Sequence, residues 1–191
     1  SWQVDADVYA VVGSVMAGNN GNIYCHTSGK ITTVRTDNTV SWVKIIRGNG
    51  LYVAAGNSSY GKYANIWISS DGLSWQEAMS SSACAITDIA YGNGKFVAVT
   101  GEKTIFISQG GSIWQSRSVS MNAEIVGFGA GKFVAATDLN APYSSADGIT
   151  WKRCSGNILY ASMLEYGDNK FTGIGGSGWV SQSADGSTWT T

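Results

Sequence analysis

The chain has 191 residues, of which 13% are charged, with 25 glycines, 8 tryptophans and a single proline; that profile points to short strands joined by tight turns. A formal net charge of −1 leaves no basic footprint for nucleic acid or an anionic membrane surface, and no apolar run approaches the ~20 residues that cross a bilayer. Cys25, Cys84 and Cys154 lack the short spacing of a zinc site or a disulfide framework, so no metal and no cofactor is expected.

In chain order, SWQVDADVYA has neither the basic start nor the apolar run of a signal peptide. Ser1–Ala6 reads as an innermost strand and VYAVVG, from Val8, as a second strand. SVMAGNNG (Ser14–Gly21) reads as the loop to a third strand around Tyr24, with Cys25 a small core residue. The single histidine, His26, aligns with the second-strand ends Ala55, Val99 and Ala136; without a nucleophile beside it, it reads as packed or surface.

The order then repeats. SWVKIIRGNG leads into LYVAAG from Leu51, the loop NSSYGKYA (Asn57–Ala64), a strand centred on Trp67 and the turn SSDGLSW ending at Trp75. AITDIAYGNG leads into KFVAVTG from Lys95, Phe106 and SQGGSIW, where Gly110 stands in place of aspartate before Trp114. AEIVGFGAG leads into KFVAAT from Lys132, Tyr143 and SSADGITW, ending at Trp151. SMLEYGDN leads into KFTGIG from Lys170 and SQSADGSTW, ending at Trp189. Successive starts of the second-strand phrase lie 43, 44, 37 and 38 residues apart. Four short antiparallel strands per unit and five units predict an all-β, five-bladed β-propeller. Its blades span approximately 1–40, 41–80, 81–119, 120–157 and 158–191, one domain over 1–191.

The recurring turns Ser69–Asp71–Trp75, Ser145–Asp147–Trp151 and Ser183–Asp185–Trp189 have a local mechanism. Asp-Gly suits a hairpin, Asp and Ser bond turn amides, and the indole covers the blade edge. One carboxylate per turn is too few for calcium. The pattern S-x-D-G-x-x-W resembles the Asp-box, or BNR repeat, of sialidase-like propellers, one residue shorter than the commonest form, S-x-D-x-G-x-T-W. The repeats are also similar to propeller modules of phage tail and virion proteins and bacterial surface proteins. The resemblance implies that the box faces away from the functional centre, and an extracellular or virion-associated setting.

A sialidase site would need three converging arginines, but Arg35, Arg47, Arg117 and Arg153 fall at turns and outer strands. A glycoside hydrolase could instead pair inner-strand carboxylates ~5–10 Å apart. The candidates are Asp5, Asp88, Glu124 and Glu165, which differ in depth and face, with Lys44 in the place of Asp88 one blade earlier. No catalytic residue is assigned. The loops between strands two and three, and between one blade and the next, vary most and carry Asn, Ser, Gly and Tyr. Asn19, Asn20, Asn57, Tyr60, Tyr63, Asn157 and Tyr160 are the binding candidates, suited to a glycan or a surface protein. The reading is a non-enzymatic recognition module. The alternatives are the glycosidase and a structural propeller bound to other subunits of an assembly.

Overall fold

The computed structural model describes residues 8–35, 39–58, 61, 63–137 and 139–191. Among these residues, blade one comprises β1 (Val8–Val12), β2 (Val15–Gly18), β3 (Ile23–Thr27) and β4 (Lys30–Arg35). Blade two comprises β5 (Val40–Gly48), β6 (Leu51–Ser58), β7 (Ala64–Ser69) and β8 (Gln76–Ser81). Blade three comprises β9 (Asp88–Gly92), β10 (Lys95–Val99), β11 (Thr104–Ser108) and β12 (Gln115–Ser118). Blade four comprises β13 (Ala123–Gly129), β14 (Lys132–Thr137), β15 (Tyr143–Ser145) and β16 (Lys152–Arg153). Blade five comprises β17 (Ala161–Gly167), β18 (Lys170–Gly175) and β19 (Val180–Ser183), its fourth edge reduced to a bridge between Gln182 and Thr190. Strands pair antiparallel in sequence order within every sheet. The chain divides into two compact units, 1–86 with 110–114, and 87–109 with 115–191.

Each first hairpin is fixed by its turn residues. Asn49-Gly50, Asn93-Gly94, Ala130-Gly131 and Asp168-Asn169 all have positive φ, the two-residue turn whose twist matches that of the strands it joins. The register that follows sets aromatic pairs across the innermost two strands. Tyr91 faces Phe96, Phe128 faces Phe133 and Tyr166 faces Phe171, with ring centroids 4.5, 4.9 and 4.8 Å apart. In blade two the equivalent pair is Arg47 and Tyr52, the guanidinium carbon 5.0 Å from the ring centroid. Val15, Val53, Val97 and Val134 fill the next position along the second strand in blades one to four and are fully buried, whereas blade five has Thr172 there.

Blade one departs from the sequence expectation. VYAVVG forms the first strand, not the second, and Val15–Gly18 is the second strand rather than a loop. The reason is the turn at Gly13-Ser14, which lets Val12 pair with Val15 and places Val15 and Ala17 in the core. Gly13 then corresponds to Leu51, 38 residues on, in line with the later spacings of 37 and 38. Asn19–Gly21, a short 3-10 turn, and Asn22 connect strands two and three. His26 accordingly lies on β3, paired with Ile31 of β4, not at a second-strand end. The innermost strand expected over Ser1–Ala6, with Asp5, lies outside the described residues.

Candidate functional site

The hairpins between third and fourth strands are closed by their own side chains. In blade two, Ser69 Oγ donates to Asp71 Oδ1 at 2.9 Å and accepts from the Gly72 amide at 2.8 Å. Asp71 Oδ1 also accepts from the Leu73 and Ser74 amides, both at 2.8 Å, and Trp75 Nε1 donates to the Gly72 carbonyl at 3.1 Å. Ser145, Asp147 and Trp151 repeat every one of these bonds in blade four. In blade five, Asp185 accepts from Ser183 Oγ and from the Ser187 and Thr188 amides. There Trp189 is buried without a hydrogen-bond partner for its indole nitrogen, its ring 6.1 Å from that of Phe171. Blade three lacks the aspartate, yet Trp114 Nε1 still reaches the Gly111 carbonyl at 2.7 Å.

These donors hold the three carboxyls below the ordinary aspartate range. The main cause is the amide of Ser74 for Asp71, of Thr150 for Asp147 and of Ser187 for Asp185. A carboxylate so engaged is a turn fastener, not a proton donor near neutrality. Lysines extend the fastening between neighbouring blades: Lys95 Nζ donates to the Asp147 carbonyl and Lys132 Nζ to Ser187 Oγ, both at 3.0 Å.

The inner-strand acids are deployed differently from a hydrolytic pair. Asp88 is buried, and its two oxygens accept from the Ile89 and Val126 amides at 2.8 and 3.0 Å, joining β9 to β13. Glu124 lies against Gly101, and Glu165 is exposed on β17. Among the described residues no three His, Cys, Asp or Glu side chains cluster as a metal site would require.

The binding candidates separate. Tyr60 and the side chain of Asn19 lie outside the described residues. Asn20 is exposed in its 3-10 turn, with φ 53°. Asn57 clamps the backbone of Ile86, its Nδ2 donating to the carbonyl at 2.8 Å and its Oδ1 accepting from the amide at 2.6 Å. Tyr63 is exposed on a loop closed by its carbonyl accepting from the Ser58 amide at 2.8 Å. In the second unit Asn157 is exposed, and so is the Tyr160 side chain. The Tyr160 amide donates to Asn140 Oδ1 at 2.6 Å.

A cleft of about 310 Å³, not evident from the sequence, opens at the loop end of blades three and four. Lys103 comes from the β10–β11 loop, Ser120 and Asn122 from the β12–β13 connection, and Thr137, Leu139 and Tyr143 from the end of β14 through the start of β15. The walls are tied by short bonds. Thr137 Oγ1 donates to the Ala141 carbonyl at 3.1 Å, and the Ile158 amide donates to the Asn140 carbonyl at 2.9 Å. The Val119 amide donates to the Lys103 carbonyl at 3.0 Å. On this fixed frame Leu139 is 80% exposed, an apolar side chain held in water.

No family model matches the chain, and no curated protein matches it. Solved structures do. The structure described as YCF48 bound to D1 peptide superposes over 100% of this chain and 69% of that one, with a TM-score of 0.67 at 19% identity. The Pan2 WD40 domain of Neurospora crassa superposes over 97% of this chain and 65% of that one, with a TM-score of 0.68 at 7% identity. A nidogen/laminin complex matches 97% of this chain and 78% of that one, with a TM-score of 0.65 at 12% identity. The fold is a five-bladed β-propeller. In blade four the S-x-D-G-x-x-W hairpin lies at one end of the sheet and the cleft at the other.

Proposed function

We propose that this propeller is a non-enzymatic recognition module that takes a short segment of a protein partner into the cleft of blades three and four. The observation that carries the reading is Leu139, exposed at the rim of a cleft whose walls are already ordered. An apolar residue of the partner packs on Leu139 and Tyr143, Ser120 and Asn122 offer polar atoms to its backbone, and Lys103 suits a nearby carboxylate. The peptide in the YCF48 complex supports the reading by analogy of fold alone. The S-x-D-G-x-x-W hairpins are read as Asp boxes, and the setting as extracellular or virion-associated. A glycan ligand is the second reading, favoured by the exposed Tyr160 beside Asn157.

The test is a phage-displayed peptide library selected on the propeller, with a glycan array beside it. Selected peptides should lose tenfold or more in affinity to Leu139→Asp, since burying a leucine-sized side chain is worth about 1.5–3 kcal/mol; acidic ones should also weaken with Lys103→Glu. Peptides whose affinity neither substitution changes sink the assignment to this cleft. Glycan binding lost in Tyr160→Ala, with no peptide selected, replaces it by the second reading.

A further inference from the structure

In two blades an asparagine near the end of the second strand fastens the stretch of chain that enters the next blade. In blade two, Asn57 Oδ1 accepts from the Ile86 amide at 2.6 Å, two residues before β9. In blade four, Asn140 Oδ1 accepts from the Tyr160 amide, also at 2.6 Å, one residue before β17. Each clamp supplies the same thing: a side-chain oxygen for a main-chain N–H that lies outside the strands.

Blade three builds the same frame and omits the oxygen. Thr100 and Thr137 each stand five residues beyond the lysine that opens the second strand. Each turns its loop by donating Oγ1 to the carbonyl four residues on, that of Thr104 at 2.7 Å and that of Ala141 at 3.1 Å. The fourth residue of this loop is Asn140 in blade four and Lys103 in blade three. Its carbonyl does the same work in both, accepting from the Ile158 amide at 2.9 Å and from the Val119 amide at 3.0 Å. Its side chain cannot, because an ammonium donates and never accepts. Among the described residues, the amides of Ser120 and Met121, which follow Val119, meet no acceptor, although Met121 is only 3% exposed.

The cleft lies where the clamp is missing: Lys103, Ser120 and Met121 line it together. A buried N–H without an acceptor costs free energy until one reaches it. Lys103 is the one charged side chain among the described residues of the lining, so the acceptor that fits is one bearing negative charge. Aspartate has the shape of the asparagine used in the other clamps, with a carboxylate in place of the amide.

We infer that an aspartate or glutamate side chain of the partner completes this cleft, one carboxylate oxygen accepting from the main chain at Ser120–Met121 and the other pairing with Lys103. The inference rests on the cleft being the place where a partner segment binds, and it adds which residue that segment must carry. The partner then does across two chains what Asn57 and Asn140 do within one.

The test uses peptides selected from the displayed library on the 191-residue chain, resynthesised with free and with amidated C-termini. Those that Leu139→Asp weakens should carry an aspartate or glutamate beside their apolar residue. Changing that acid to its amide should cost about tenfold or more in affinity by calorimetry. Lys103→Asn, which gives blade three the blade-four residue, should cost the acidic peptide the same factor and leave its amide form nearly unchanged, with a far-ultraviolet melt confirming the fold. The Met121 amide resonance should also move on adding N-acetylaspartic acid amide and stay in place with N-acetylasparagine amide, a reading that needs no selected peptide. Peptides that occupy the cleft without an acid, or that lose affinity to C-terminal amidation rather than to the acid-to-amide change, overturn the inference and leave the cleft as the binding site. Peptides indifferent to Leu139→Asp, with an unmoved Met121 resonance, overturn both.

Discussion

Gly148→Ala tests whether the hairpin glycine is required by space as well as by backbone conformation. Gly148 has φ +74°, and a Cβ there would sit 2.7 Å from Val97 Cγ2 and 3.4 Å from both Ile107 Cδ1 and Phe133 Cε2. Val97 and Phe133 are fully buried and have no room to withdraw. Gly131, also at φ +74°, would place a Cβ with nothing within 4 Å. The left-handed conformation alone costs about 1–2 kcal/mol with a Cβ, and forcing a methyl into a packed core adds about 1–3 kcal/mol. Gly131→Ala should therefore lose about 1–2 kcal/mol and Gly148→Ala about 2–5 kcal/mol, read by urea unfolding with tryptophan fluorescence at unchanged m. Adding Val97→Ala to Gly148→Ala removes the obstructing methyl, so the double-mutant cycle should show a favourable coupling of about 1 kcal/mol or more. Equal losses for the two glycine variants, with no coupling to Val97, would refute the packing argument.

Asn57→Ala strips both hydrogen bonds from the Ile86 backbone and should cost about 1–3 kcal/mol in the same unfolding assay. The depressed Asp147 carboxyl gives stability that is complete above the unfolded value of about 3.9 and fades as pH falls toward the folded value. Thermal melts of the wild type should therefore drop more steeply below about pH 4 than those of Asp147→Asn. Burial pushes the Cys154 thiol up, while Cys25 and Cys84 are buried. Ellman's reagent at pH 7.5 should label the native chain at least tenfold more slowly than the same chain in guanidinium.

The repeat was legible because its signals are local. A glycine-bearing turn and a serine, aspartate and tryptophan at fixed offsets impose the same hairpin wherever they recur, and the five-bladed reading follows from them. Blade one was misread because VYAVVG has the composition of LYVAAG; composition did not distinguish one apolar strand from its neighbour, nor the short strand Val15–Gly18 from a loop. The decisive mark was the turn at Gly13-Ser14. Loop chemistry was less legible, for a different reason. An asparagine such as Asn57 looks the same in sequence whether its amide meets a ligand, water or a distant backbone. The cleft was invisible because Lys103 and Leu139 are 36 residues apart, and their meeting depends on how two blades stack.

The self-fastened hairpins have one more consequence. In blade two, Ser69 donates to Asp71 and Trp75 to the Gly72 carbonyl within seven consecutive residues, so that corner of the sheet keeps its alignment whatever happens at the far end. Blade two tolerates a spacing of 44 residues to the next repeat where its neighbours use 37 or 38, and its second and third strands still pair without a shift of register. The hairpin acts as a locating pin: with one end of the sheet indexed, the other end is free to vary in length and composition. Grafting a foreign loop between Ser58 and Ala64 would leave the pin untouched, which makes that site a natural port for engineering new specificity.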